Sequence, residues 1–209
     1  MSSEPAVVRL NPERFTAFVD AVVAIAMTLL ILPLMESVSD AASGKLTTAD
    51  FFHEHHGQLA SFALSFLLIA SFWTEHHRVY SRVLRITTPL IWINIVWLFT
   101  IVWLPVATAM IGQMPADALQ RVVYIGTLIA TQLTTLAAKW YFLRHPHLSD
   151  FSSTWLQSGV AGDAASATLF LIALAISILF PGIGYVALFL LLLTSPLARL
   201  LHRAFARKS

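Results

Sequence analysis

Long apolar segments alternate with short polar connections along the chain. A helix needs about twenty mostly apolar residues to cross a bilayer. Six segments meet this length: 15–36, 57–80, 87–111, 118–143, 157–180 and 183–201. The longest connection runs from Ser37 to His56 and is polar, whereas Pro181 to Gly184 is short enough for a tight helical hairpin. The pattern predicts an all-α integral membrane protein of six transmembrane helices, formed as a single domain by residues 1–209.

Lys and Arg are distributed unevenly between the two ends of these segments. With the N-terminus in the cytoplasm, the 13 Lys and Arg residues fall on the inner side except for Lys45 and Arg121. Since cytoplasmic connections are enriched in these residues, we expect both termini in the cytoplasm and a multi-pass protein of the cell membrane, specifically a bacterial inner membrane. A signal peptide is the competing interpretation of the first segment, but Asp20 is an unusual residue for one.

The composition excludes several classes of function. Only 11% of the 209 residues are charged, against about 25% in soluble domains, and the mean hydropathy is +0.75. The chain has no Cys, so disulfides, thiolate metal sites and redox centres are not expected. The basic residues flank apolar segments, which disfavours nucleic acid as a partner. No catalytic constellation, phosphate loop or carbonyl filter motif is present, so neither an enzyme nor a cofactor is expected.

The first segment has two chemically different sides. At about 100° per residue, one side carries Arg14, Phe18, Ala21, Ile25, Thr28, Leu29 and Leu32. Asp20 lies well away from this stripe. A carboxylate within a bilayer must face protein or water, so Asp20 is expected to point into the helix bundle and the stripe to face a neighbouring subunit or a central axis. The plainer interpretation is that the stripe packs or faces lipid and that Thr28 bonds its own helix backbone.

Polar side chains of three predicted helices lie at similar depth near the cytoplasmic side. They are Asp20, Trp73, His76 or His77, and Asn94. An ionised Asp needs hydrogen-bond donors there, which Arg14, the histidines, Asn94 and indole groups supply. We therefore expect one interhelical network that fixes the first helix against the second and third, at about 0.6–2 kcal/mol for each hydrogen bond.

Asp163 is a second candidate for a buried acid. It either pairs with Lys139 or lies in the first turns of its helix, where a negative charge is favoured, and a proton-relay role stays open. Lys139 is expected to extend its ammonium group to the membrane surface. The histidines, including those beside Glu54, do not have a recognised zinc spacing, so no metal site is expected.

Motifs in the first three segments resemble a known family. The stretch Arg14-x-x-x-Phe18-Val19-Asp20 resembles the Arg-x-x-x-Phe-Ser-Asp signature of the endolysosomal potassium channel family (transmembrane protein 175) and its short prokaryotic members. Further matching positions are Ala24-Ile25-Ala26-x-Thr28-Leu29-Leu30, Ser65-Phe66, Trp73-x-x-His76-His77, Leu90-x-Trp92-x-Asn94 and Leu104-Pro105. The resemblance covers about residues 14–105, and Val19 and Ala21 depart from the usual Ser and Gly.

The resemblance implies a six-helix subunit that assembles as a homotetramer in the lipid bilayer, with the first helices lining a central cation pore. By position, Ile25 maps to an apolar constriction, Thr28 to a hydroxyl ring linked to selectivity, and Leu29 or Leu32 to further constriction. The packing network maps to Arg14, Phe18, Asp20, Trp73, His77 and Asn94.

These observations favour a passive, potassium-permeable cation channel. An acidic outer connection that contains Glu36, Asp40, Asp50 and Glu54 would raise the local cation concentration. The alternative is a proton-coupled secondary transporter that uses Asp20, His77 and Asp163, although no segment has the central Gly-Pro break that many transporters carry. A non-conducting membrane scaffold also stays open.

Overall fold

A computed structural model describes residues 11–194, and these residues form helices without a β-strand. The α-helices are α1 (Pro12–Leu29), α2 (Leu32–Ser43), α3 (Thr48–Glu54), α4 (His56–Tyr80), α5 (Thr88–Gln113), α6 (Ala118–Arg144) and α7 (Ser153–Leu179). Two 3-10 segments, Pro146–Leu148 and Gly184–Leu193, complete the described part. The predicted all-α class is confirmed.

Five stretches within residues 11–194 are long and apolar enough to cross a membrane. They are Pro12–Ser43, which joins α1 and α2, and then α4, α5, α6 and α7. The four later helices begin and end close to the predicted bounds. The predicted sixth span, 183–201, continues beyond Thr194 and so lies partly outside the described residues. The sixth crossing, the side of both termini and the assembly therefore stay predictions.

The first predicted span, 15–36, is interrupted. A turn at Leu30–Ile31 separates α1 from α2, and Pro33 lies in the first turn of α2. Proline has no N–H, and its ring clashes with the carbonyl four residues earlier, here that of Leu29. The Ile31 amide instead donates to the Thr28 carbonyl at 3.3 Å, a three-residue step. The predicted span 15–36 lies within the candidate crossing Pro12–Ser43, and the break inside it was not predicted.

The polar connection between the first two spans is mostly helical. Helix α2 continues to Ser43, and α3 occupies Thr48–Glu54. Thr47 caps α3, because its hydroxyl accepts the Asp50 amide while Asp50 accepts the Thr47 amide. This reciprocal capping satisfies two free donors at the start of a short helix. A stretch that hydropathy marks only as polar therefore has regular structure.

Helix α6 packs extensively on α5 and α7 and less extensively on α4. Helix α1 packs on α4 and α5. Its contribution to the main apolar core is the row Val19, Val23, Ala26 and Leu30, all of them buried. These residues recur every three or four positions, so they form one stripe along α1. This buried stripe decides which side of α1 is left uncovered.

Candidate functional site

The uncovered side of α1 carries the residues that the resemblance maps to a pore. Phe18 and Ile25 are each 60% exposed, Leu32 is 52% exposed and Leu29 39% exposed. On α1, the angle per residue puts Phe18, Ile25 and Leu29 on a different side from the buried stripe, and Leu32 follows after the break as the first residue of α2. One side of α1 therefore packs on its own subunit, while the other presents apolar side chains that the described subunit leaves uncovered.

Thr28 lies on this uncovered side, just before the break. Its Oγ1 donates a hydrogen bond to the Ile25 carbonyl at 2.7 Å. This backbone bond is the contact expected of an ordinary helical threonine. It also uses the one hydroxyl proton, so the oxygen lone pairs can still accept a donor or coordinate a cation.

Asp20 does not lie on the uncovered stripe and instead contacts α4. The Trp73 indole N–H donates to Asp20 Oδ1 at 2.8 Å. His77 Nδ1 lies 3.7 Å from Asp20 Oδ2, close enough for an ion pair when the imidazole is protonated. Trp73 and His77 also contact each other, with ring centroids 5.7 Å apart, because they are one helical turn apart. Three of the predicted network residues therefore form one cluster between α1 and α4.

His76 points to a different neighbour. Its Nε2 lies 2.6 Å from Asn94 Oδ1 on α5, and both side chains are buried. Since the Asn94 oxygen is an acceptor, the His76 nitrogen is the donor. The imidazole is stacked between Tyr80 and Trp97, at 4.1 and 4.2 Å between centroids. Asn94 is therefore held by His76 and not by Asp20, and the polar residues form two adjacent clusters.

Two residues assigned to the network by resemblance lie outside these clusters. Arg14 and Phe18 are exposed on the same side of α1 as Ile25. Within residues 11–194, Arg14 makes no ion pair and no side-chain hydrogen bond. In a single subunit they therefore belong geometrically to the uncovered stripe.

Sequence reasoning gave the pair Lys139 and Asp163 as one alternative but missed Glu75, which completes a charged cluster between α4, α6 and α7. Lys139 Nζ donates to Glu75 Oε1 at 2.6 Å and to Asp163 Oδ1 at 3.1 Å. Gln132 Nε2 also donates to Asp163 Oδ1, at 3.0 Å. Arg78 donates to the other Glu75 oxygen at 2.9 Å. We call Glu75, Lys139 and Asp163 the ion triad.

The contacts of the ion triad test two expectations, one about the partner of Asp163 and one about the position of Lys139. Asp163 pairs with Lys139, which was one of its two expected environments. The expectation that Lys139 reaches the membrane surface was wrong, because its side chain is only 2% exposed. Gly159 allows this burial, since a Cβ there would lie 3.2 Å from Lys139 Cδ. That glycine, one turn before Asp163, was the available sequence signal.

A buried cluster of hydroxyl groups joins the halves of α4, α5 and α6 that lie away from the ion triad. Ser65 Oγ and the Tyr124 hydroxyl lie 2.9 Å apart, and Thr108 donates to Ser65 at 2.8 Å. Ser65 was singled out only as a motif position, and its partners could not be read from spacing. Each buried hydroxyl is satisfied by another, which stabilises the contact of three helices.

Comparisons with known proteins agree with the motifs on α1, α4 and α5. A family model described as endosomal/lysosomal potassium channel TMEM175 matches residues 14–105. A potassium channel of Streptomyces collinus is 33% identical over 144 residues, which are 66% of this chain and 67% of that channel. The chain belongs to the TMEM175 family. The suspected resemblance is thereby confirmed.

Other TMEM175 relatives carry two kinds of name. The endosomal/lysosomal proton channel TMEM175 of Mus musculus is 32% identical over 123 residues, 54% of this chain but 24% of the mouse protein. A potassium channel of a Chryseobacterium species is 29% identical over 100 residues, 47% of this chain and 48% of that channel. TMEM175 proteins are thus membrane channels, and the ion named differs between relatives.

The residues matched to the TMEM175 model include the uncovered stripe and both polar clusters. Asp20, Trp73, His77 and Asn94 all lie within residues 14–105. Lys139 and Asp163 of the ion triad lie after the matched range. The triad must therefore be understood from this chain's own geometry.

Proposed function

We propose that the protein is a potassium-permeable cation channel that conducts passively through a central pore lined by α1. The observation that carries this proposal is the division of α1 into a stripe buried against its own subunit and an opposite, uncovered stripe. A second subunit or a pore axis accounts for the uncovered stripe, and a homotetramer with four α1 helices around the axis is the proposed assembly. Potassium is chosen because the bacterial relatives are named potassium channels.

Ile25 forms the proposed constriction. Four isoleucine side chains around an axis make an apolar ring, and such rings block ions by excluding water. Leu29 and Leu32 extend the apolar lining on either side of the break before Pro33. Because a break changes the direction of the helix axis, it gives the two leucines different positions relative to the pore.

Thr28 supplies the proposed polar ring. Its proton is committed to the Ile25 carbonyl, so its lone pairs face outward from the helix. Four such oxygens replace part of the hydration shell of a cation. They lie one turn from Ile25, so an ion leaving the apolar ring meets an oxygen ligand at once.

The contact of Asp20 with Trp73 and His77 orients α1 in this proposal. It fixes the rotation of α1 about its own axis, because the carboxylate is held on the side of α4. The exposed acidic residues Glu36, Asp40 and Glu54 follow the proposed pore on the outer side, where they raise the local concentration of cations. The proposed location is the bacterial cell membrane, with both termini in the cytoplasm.

Potassium flux from liposomes that contain the purified protein tests the proposal. We expect efflux down a potassium gradient without a sodium or proton gradient, together with a tetrameric mass in detergent. Empty vesicles and sodium-loaded vesicles are the controls. Absence of flux from vesicles that contain folded protein would refute the channel.

Proton-coupled transport is the second candidate. The specific observation in its favour is the pair Asp20 and His77, whose titratable atoms lie 3.7 Å apart beside the proposed pore helix. The mouse relative is named a proton channel, which adds direct proton conduction to this candidate. Potassium flux that requires a proton gradient would favour the transporter, and acidification of the vesicle interior without potassium flux would favour proton conduction.

A further inference from the structure

One and a half turns of α4 contact three other helices. Trp73 and His77 hold Asp20 on α1, and His76 holds Asn94 on α5. Glu75, between them in sequence, receives the Lys139 ammonium group of α6. Since these residues share one rigid stretch of helix, a displacement at Glu75 also displaces the groups that hold α1.

A cavity of about 430 Å³ adjoins the ion triad. Its lining includes the hydroxyl side chains of Ser71, Thr135 and Ser166 as well as Glu75, Lys139 and Asp163. A water molecule occupies about 30 Å³ and needs two to four polar partners. The cavity is large enough for several waters, and its polar lining offers them hydrogen-bond partners beside the triad.

The three charges of the triad are not equally compensated. The Glu75 carboxylate forms ion pairs with both Arg78 and Lys139, and its side chain is 28% exposed. The Asp163 side chain is 9% exposed. It forms an ion pair with Lys139 and accepts a hydrogen bond from the neutral Gln132 amide. Its Oδ2 lies 2.9 Å from Lys139 Nζ, yet accepts no hydrogen bond from any described residue. A buried carboxylate with incomplete compensation is costly, and a proton removes that cost.

Among the residues that the structure describes, few other charged groups face Asp163. On α6, the charged residue in contact with Asp163 is Lys139. On α4, the nearby charged residues are Glu75 and its partner Arg78. On Gly184–Leu193 the titratable side chain is Tyr185, which donates to Gln120 near the other end of α6. Within residues 11–194, the charges nearest to Asp163 are therefore those of the triad and Arg78.

We propose that this cavity is a proton-binding site in which Asp163 Oδ2 takes up and releases one proton. The proton comes from solvent through the cavity waters and converts the carboxylate to a carboxylic acid. Lys139 then keeps Glu75 as its one ionised partner within the triad, so the link from α6 to α7 weakens and the Lys139–Glu75 pair shifts, which displaces this stretch of α4. The effect on conduction rests on the proposed function, because it acts through the hold of α4 on α1.

Infrared difference spectroscopy across a pH titration tests the site without requiring conduction. We expect the carbonyl band of a protonated carboxyl group to appear on acidification and to shift when the protein is labelled with carboxyl-¹³C aspartate. Asp163→Asn should abolish the band, and Asp150→Asn, at an exposed aspartate, should retain it. A band that does not shift with labelled aspartate, or that persists in folded Asp163→Asn protein, overturns the proposal.

The pH dependence of potassium flux tests the coupling. We expect flux through the wild type and Asp150→Asn to change with cytoplasmic-side pH, and flux through Asp163→Asn to be constant over the same range. An unchanged pH profile in Asp163→Asn overturns the coupling. If the wild type does not conduct, the proposed function fails, while the infrared titration still decides whether the cavity binds a proton.

Discussion

Trp73 and Asp20 are joined across α4 and α1 by a hydrogen bond of 2.8 Å from the indole N–H to the carboxylate. The bond connects the stretch of α4 that touches three helices with the helix that carries the uncovered stripe. Because Asp20 points toward α4, Ile25 on the same helix points away from it. The rotation of α1 is therefore tied to one side-chain contact.

Removal of this contact should weaken the placement of α1. We expect Asp20→Ala to impair tetramer assembly and Trp73→Phe to lower stability by about 0.6–2 kcal/mol, the range for a hydrogen bond between membrane helices. Light scattering after size exclusion measures assembly, and thermal unfolding in detergent measures stability. Trp92→Phe, at a 62% exposed tryptophan on α5, is the matched control. Asp20→Ala protein that stays tetrameric with normal flux would contradict the role of the contact.

The pair His76 and Asn94 should show strong energetic coupling. Both groups are buried, so removing one leaves the other unsatisfied, at a cost of about 1–3 kcal/mol. We expect His76→Phe and Asn94→Leu each to lower thermal stability, and the double variant to lose less than the two losses added together. A double-mutant cycle measures this coupling. Strict additivity would show that the 2.6 Å contact contributes no pairwise stabilisation.

Lys139 should be essential for stability because it compensates two carboxylates. Loss of one partner of a buried ion pair costs about 3–5 kcal/mol, so we expect Lys139→Met to unfold at a much lower temperature. Adding Asp163→Asn should recover part of the loss, since it removes the less compensated carboxylate. Lys45→Met, at an exposed lysine, is the control. A double variant no more stable than Lys139→Met would contradict the pairing.

Hydropathy predicted the positions of α4, α5, α6 and α7 because a bilayer-spanning helix has a fixed length and few charges. It missed the break at Leu30–Ile31, since Pro33 is apolar enough not to interrupt the pattern. It also marked Ser37–His56 only as polar, and polarity alone does not distinguish a capped helix from a loop. The residues that indicate a helix in this stretch are the capping pair Thr47 and Asp50.

The candidate site was predictable to different degrees. The helix angle separates Asp20 from Ile25, because that argument needs one helix only. The partners of Asp20 and Asn94 depend on which of His76 and His77 faces which helix, and this requires the packing of α1 and α5 on α4. The place of Glu75 beside Lys139 and Asp163 was hidden for the same reason, because the three residues come from three helices whose relative rotation the sequence does not state.

Ile25 should control flux if it forms the apolar constriction. We expect Ile25→Asn to raise potassium flux several-fold, because a polar ring allows water into the narrowest point. Ile172→Asn on α7, at a 43% exposed isoleucine, is the matched control and should leave flux unchanged. Liposome efflux measures both. Wild-type flux in Ile25→Asn protein would remove Ile25 from the gate.

Thr28 should set the preference for potassium if its hydroxyl coordinates the ion. Thr28→Val keeps the shape of the side chain but removes the oxygen, so we expect lower potassium conductance and a smaller preference for potassium over sodium. Thr28→Ser keeps the hydroxyl and should stay close to the wild type. Reversal potentials under opposed potassium and sodium gradients measure the preference.

The matched control for Thr28 is Thr168→Val on α7. Thr168 is also exposed, and its hydroxyl donates to its own helix at Ala164, so it shares the local chemistry of Thr28 without its place on α1. We expect Thr168→Val to leave the reversal potential unchanged. If Thr28→Val also left it unchanged, the hydroxyl would be an ordinary helix-bonded group, as its 2.7 Å bond to the Ile25 carbonyl allows, and selectivity would arise elsewhere along α1.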